Sequence, residues 1–174
     1  MDGGGVLQSI RELLVKENIE FRELHHEPTR TSEDSARARG EDLRIGGKAL
    51  LMKIAKQFSL FVLPADRRVD SFLIRSRLGT RKMRFANADE LFDLTKSVND
   101  RDQQLTGLVP GSVPPFGQPV LPFDLYVDSG ICENERIAFN AGSLTDSVIM
   151  KVEDYLRIAR PLDVFSFSAK PDEA

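Results

Sequence analysis

Apolar residues Val6, Ile10, Leu13 and Leu14 recur at the spacing of one helix face, so residues 6–17 are expected to form an amphipathic helix. A short strand is expected from Ile19 to Leu24. Thr31, with Asp34 three positions on, reads as the N-cap of a short helix that stops near Gly40. Gly46-Gly47 break the chain, and the apolar runs 48–55 and 58–64, separated by Lys56-Gln57, read as a β-hairpin. Residues 70–78 read as a helix ending before Gly79, and Lys82 to Ala86 as a strand. Asn87, with Glu90 three positions later, opens a helix to about Leu94. The polar, aperiodic stretch 95–106 reads as an exposed loop. Residues 107–122 hold five prolines and three glycines, too many for a helix or an interior strand, so a fixed irregular loop is expected there. Strands follow at 124–128, 135–140 and 147–151. A helix at 152–159 sets Tyr155, Leu156 and Ala159 on one face and ends at Pro161; residues 168–174 are expected to fray.

Adjacent strands occur beside helices set between strands. That order predicts an α+β fold: one domain over residues 1–174, with its core at about 6–160 and a mixed, largely antiparallel, barrel-like sheet flanked by helices. The regular βαβ alternation of a Rossmann fold is missing, and so are internal repeats and linkers.

Composition narrows the class. A chain of 174 residues, 41% hydrophobic and 29% charged, can bury a real core. No apolar run approaches the roughly 20 residues that span a bilayer, so no membrane partner is expected. The start MDGGGVLQSI lacks a signal-peptide pattern, and a cytoplasmic location is expected. A net charge of −3 argues against coating of nucleic acid, and DNA is not an expected partner. It leaves room for a protein that grips one RNA end. Arg67, Arg68, Arg75, Arg77, Arg81, Lys82 and Arg84 fall within 18 positions, as either a solvated helix face or a phosphate-facing patch.

Standard catalytic sets are missing from the sequence. There is one cysteine, Cys132, and the two histidines are the adjacent His25 and His26, read as a surface turn. No metal ligands and no cofactor are expected, and nothing points to a Ser-His-Asp triad. Two segments invite a chemical reading. Lys48, behind two glycines at the mouth of an apolar strand, either projects into a cleft or snorkels to water. The Gly107–Gly117 loop either presents backbone N–H groups to a carbonyl or phosphate, or is a rigid connector.

At these segments the chain resembles the YbaK/ProX family, the aminoacyl-tRNA synthetase-associated editing domain. The resemblance runs from about Val6 to Ala159. HHEPTRTSEDSA resembles the family's N-terminal element, which includes Thr31; GGKALLMK resembles the strand that bears its lysine, here Lys48. FVLPADRRVD and LGTRKMRFA follow, then the GxxxP loop, Gly111 to Pro115, and IAFNAGSLTDSVIM, the strand-loop-strand that walls the aminoacyl pocket.

The resemblance implies an aminoacyl-tRNA deacylase that hydrolyses the ester of mischarged tRNA in trans and takes a small amino acid. Lys48 and Gly111 are the implied catalytic positions. Thr31, Ser112, Val113, Pro114, Pro115, Asn140, Ala141, Gly142, Ser143 and Asp146 are the implied substrate-binding positions. The implied partners are the acceptor end of aminoacyl-tRNA and a synthetase. The attacking water would be placed partly by a free ribose hydroxyl, so no strong protein base is needed.

Phe139-Asn140-Ala141-Gly142-Ser143 stands where the alanine-specific branch carries a histidine, and Ala49 follows the lysine where some members have a polar residue. Alanine specificity by that route is not expected. Two other readings stay open: a noncatalytic tRNA- or synthetase-binding module with this fold, and an unrelated small-molecule hydrolase.

Overall fold

The structure is a computed structural model and describes residues 5–99 and 106–171. Half of the 95–106 stretch, residues 100–105, therefore lies outside the described residues. Helix α1 (Gly5–Lys16) buries Val6, Ile10 and Leu14 of the expected face together with Leu7, and Leu13 is partly buried. Strand β1 (Phe21–His25) leads to α2 (Ser32–Arg39). Thr31 caps α2 by accepting the Asp34 N–H, and Gly40 closes it at φ +69°.

A hairpin follows, β2 (Gly47–Ile54) and β3 (Gln57–Pro64). Its turn is Ala55-Lys56, one position earlier than expected, because Ala55 takes the positive φ of 55° that closes a two-residue loop. Then come β4 (Arg68–Val69), α3 (Ser71–Leu78), β5 (Met83–Phe85) and α4 (Ala88–Thr95), where Asn87 and Glu90 complete the capping box. Beyond the proline-rich loop lie β6 (Asp124–Asp128), a 3-10 turn at Ser129–Glu133, β7 (Arg136–Asn140), β8 (Asp146–Lys151) and α5 (Val152–Ala159). Two short strands, β9 (Asp163–Phe165) and β10 (Ser168–Ala169), end the described chain.

The fold is α+β with a mixed sheet, as the element order predicted. One sheet runs β5-β2-β3-β6-β9; its β5/β2/β3 pairings are antiparallel, and its β3/β6 and β6/β9 pairings parallel. A second, antiparallel sheet runs β1-β8-β7. The two meet where Gly46 bridges Ala138. This seam needs glycine: a Cβ on Gly47 would fall 2.6 Å from Ile137 Cδ1, and something would have to shift.

The larger core lies between the sheets, α1, α5 and the proline-rich loop. A smaller one, built on Met52, Phe61, Leu63, Ile74, Phe165 and Phe167, fills the other face of the five-stranded sheet under α3. The expectation that the chain frays beyond Phe167 is corrected at Ser168-Ala169, which pair with Arg68-Val69. Phe167 is fully buried, edge-on to Phe61 at 5.4 Å. Its burial holds the segment in place.

Candidate active site

At the seam between the sheets a cavity of about 340 Å³ opens between α2, the start of β2, the end of β7 and the proline-rich loop. Strand β2 supplies Gly47, Lys48, Ala49 and Leu50, and α2 with its approach supplies Thr31, Ser32, Ser35 and Arg39. The loop supplies Pro110, Gly111 and Val113; Asn140 comes from β7 and Leu144 from the turn after it. The lining holds three cations, Arg30, Arg39 and Lys48, and no carboxylate.

Lys48 is half-buried. Burial and the nearby Arg68 push its ammonium below the ordinary lysine range, and Asp66 and Glu33 pull the other way. The edge of β2 is open here. Leu51 turns its carbonyl away from β3, to Ala86 N–H, and residues two apart share that direction, so Ala49 presents its backbone N–H and C=O to the cavity. The first-turn amides of α2 have no intrahelical acceptor, and Ser32 places that end of the helix in the lining.

The loop is fixed by its own bonds. Val109-Pro110-Gly111-Ser112 form a tight turn closed by Ser112 N–H to Val109 O at 3.0 Å, with Gly111 at φ +89°. Tyr155 Oη donates to Pro115 O at 2.6 Å, and Asn140 Nδ2 donates to Gly111 O at 2.7 Å.

Of the implied site residues, Thr31, Lys48, Gly111, Val113 and Asn140 share the cavity lining. The others lie outside it, for visible reasons. Ser112 is buried, its hydroxyl bonded to Val109 O at 2.7 Å. Pro114 and Pro115 are buried beneath the loop. Ala141 is core, and Gly142, at φ +92°, lies against Val6. Ser143 Oγ donates to Asp146 Oδ2 at 2.7 Å, and Asp146 Oδ1 faces His25 Nδ1 at 2.9 Å, so both residues tie the β7–β8 turn.

The sequence reading did not single out Arg39, Thr29 or Ser35. Thr29 and Ser35 are buried and share a hydrogen bond of 2.8 Å at the cavity wall. Their signal is the HHEPTRTSEDSA element itself, in which they flank Thr31. Arg39 carries no local signal, because its partners, Asn140 and Ser147, lie about a hundred positions away.

The basic cluster of 67–84 divides. Arg67 pairs with Glu133, Arg77 with Asp163 and Arg84 with Glu90, so these three serve local ion pairs. Arg68 faces Lys48 closely enough to affect its charge.

Fold and cavity together define an α+β domain with a cationic pocket at a sheet seam. The family model of the aminoacyl-tRNA editing domain matches residues 26–158. The chain belongs to this family, the YbaK/ProX editing domains. It is 36% identical over 160 residues to the Multifunctional Ser/Thr-tRNA deacylase ProXp-y of Escherichia coli K12, covering 88% of each chain. It is 23% identical over 158 residues to the Prolyl-tRNA editing protein ProX of Acetoanaerobium sticklandii, covering 88% of this chain and 90% of that one. A crystal structure described as a candidate trans-editing enzyme for prolyl-tRNA synthetase superposes with a TM-score of 0.74 at 21% identity, covering 94% of this chain and 97% of that one.

Proposed function

We propose that the protein is a trans-acting aminoacyl-tRNA deacylase that removes serine or threonine from mischarged tRNA. The observation that carries this reading is the lining of the cavity: three cations and no carboxylate, beside a proline-fixed loop, in a chain of the editing family. Such a lining favours a polyanionic ligand over a cationic or neutral one.

In this reading Lys48 and Arg30 meet the terminal phosphate and ribose of the acceptor end. The backbone of Gly111 and the open edge at Ala49 bracket the aminoacyl group. Val113, Leu144, Ala49 and Leu50 form the apolar wall, and the cavity is near the small end of the range for ligand sites. That favours side chains of serine or threonine size and disfavours phenylalanine and tyrosine. The relative named for serine and threonine is the more similar of the two curated relatives described above.

Hydrolysis then rests on holding the ester carbonyl and a water in fixed geometry against oriented dipoles. The free hydroxyl of the terminal ribose, beside the ester, supplies the hydrogen bond that places the water. A cytoplasmic location and transient contact with a synthetase fit the reading. No helix among the described residues is long and apolar enough to cross a membrane.

The test is a panel of tRNAs charged with serine, threonine, alanine, proline and phenylalanine, scored for deacylation. Release of serine or threonine far above the spontaneous rate, with phenylalanine left intact, is expected. Removing the neighbouring ribose hydroxyl is expected to slow release at least about a hundredfold. No release from any member, or release of phenylalanine as fast as threonine, would overturn the reading.

A further inference from the structure

Arg39 is a cation at the cavity wall with no carboxylate among the described residues at ion-pair distance. Its two hydrogen bonds go to neutral oxygens: Nε to Ser147 Oγ at 3.0 Å and Nη2 to Asn140 Oδ1 at 3.0 Å. Burial pushes its guanidinium down to about 10. A positive charge kept half-buried without a counter-ion costs free energy, so its presence calls for an explanation.

Donor and acceptor chemistry fixes the Asn140 amide within this network. A guanidinium only donates, so the atom of Asn140 that faces it must be the carbonyl oxygen. The amide nitrogen then faces the loop and donates to Gly111 O at 2.7 Å. On the other side, His26 Nδ1 faces the carbonyl of Glu27 at 2.9 Å and must carry its proton there. Its Nε2 faces the Ser147 hydroxyl at 2.8 Å. Ser147 Oγ accepts from Arg39 Nε, and its hydroxyl also reaches Asn140 Oδ1 at 3.3 Å, which adds a second donor toward that oxygen. The chain of bonds runs from His26 through Ser147, Arg39 and Asn140 to Gly111. Reversing the Asn140 amide would set two N–H donors against each other and its oxygen against the Gly111 carbonyl.

We propose that Arg39 is a positioning residue for deacylation, fixing through Asn140 the direction in which the Gly111 loop presents its backbone to the ester. The inference rests on reading the cavity as the ester site. It explains why a donor-only cation sits where a neutral side chain would be easier to bury. A residue at position 39 able to accept a hydrogen bond would compete with Gly111 O for the Asn140 amide N–H and weaken its hold on the loop.

Three variants separate this role from mere bracing. Arg39→Met keeps the length of the side chain and removes every donor. Its kcat on the best seryl- or threonyl-tRNA is expected to fall on the order of a hundredfold, as for loss of an oriented backbone donor, with KM changed less. Arg39→Lys, still donor-only, is expected to recover most of that loss. Asn140→Asp gives Arg39 an ion pair but offers Gly111 O no donor; its melting temperature should hold or rise while kcat falls as in Arg39→Met. Amide NMR of Gly111 and Ser112 in the ligand-free protein reads the loop directly. Those two resonances should move in Arg39→Met and Asn140→Asp, with the α1 and α5 resonances unmoved. Normal kcat in Asn140→Asp, or unmoved loop amides in both variants, would overturn the inference. A parent protein inert on every charged tRNA would instead defeat the proposed function, and the loop resonances would still decide the relay.

Discussion

Lys48 lines the cavity half-buried, and the proposed function assigns it the heaviest chemical demand there. In the proposed function Lys48 is the cation that meets the substrate phosphate, so in Lys48→Ala deacylation should fall at least about a hundredfold, the loss of a charge-assisted contact of roughly 3 kcal/mol. Thermal melting should not drop, because the half-buried ammonium is disfavoured by its surroundings. Near-normal turnover in a folded variant would remove Lys48 from the mechanism. Its lowered pKa adds a pH dependence with a definite sign. The ammonium is the binding form, and in the free protein it is lost as pH rises through a value below the ordinary 10.5. Affinity for adenosine 5′-phosphate, the terminal nucleotide alone, should decline on the alkaline side before an ordinary lysine titrates, and Lys48→Arg should move that decline upward. A flat profile would contradict the assignment. Gly111 makes a second demand. Gly111→Val places a β-branched residue at φ +89°, with its Cβ 3.4 Å from Leu144 Cδ2. Activity should be lost, and stability should fall by about 1–3 kcal/mol from backbone strain, measured by urea denaturation. The glycines around Lys48 and the Pro-Gly pair marked both residues in the sequence. Arg39 left no such mark, because a lone arginine in a charged helix looks the same whether it faces water or Asn140.

At the scale of elements, local signals were legible where the chain satisfies its own ends. The caps at Thr31 and Asn87 bond within four residues, and the helices begin where their residue types say. The face of α1 follows from its periodicity, and the two long strands of the hairpin from their apolar runs. Strands β9 and β10 escaped notice because three and two residues carry no period; each exists only through its partner, β6 or β4. The proline-rich loop was legible as rigid but not in its anchorage, which comes from α5. Tyr155, fully buried and edge-on to Phe116 at 5.4 Å, donates to Pro115 O at 2.6 Å. Tyr155→Phe keeps the ring and strands the carbonyl. It should destabilise the protein by about 1–3 kcal/mol, the cost of an unsatisfied buried acceptor. The loop below Gly111 should loosen too, so kcat should drop although Tyr155 lies outside the cavity. A calorimetric melt and a turnover assay on the same sample check both parts; unchanged stability would show that water replaces the lost donor.

For the whole molecule, the sequence predicted an α+β domain with a mixed sheet, but not the seam that makes the cavity. Gly46 reaches Ala138 across more than ninety positions, and the parallel pairings of β3 with β6 and β6 with β9 are equally non-local. Nothing in a local pattern distinguishes a strand that pairs with its neighbour from one that pairs across the domain. The same limit hid the C-terminal anchor. Asp128, fully buried at the end of β6, accepts from Phe167 N–H at 2.7 Å, Ser168 Oγ at 2.7 Å and Gly130 N–H at 3.0 Å. Phe167 itself fills the smaller core between Phe61 and Phe165. The segment is thus held by a carboxylate on one side and a ring on the other. Phe167→Ala should cost about 3–5 kcal/mol, as for a large core side chain cut to a methyl. Asp128→Ala removes one acceptor site from three donors and should cost a similar amount or more. Because both hold one stretch of chain, the double variant should lose less than the sum of the two, by at least about 0.5 kcal/mol. Urea denaturation of the parent, both single variants and the double variant measures this directly. A frayed C-terminus would leave Phe167→Ala within about 0.5 kcal/mol of the parent, as for a surface substitution, and that result would overturn the anchor.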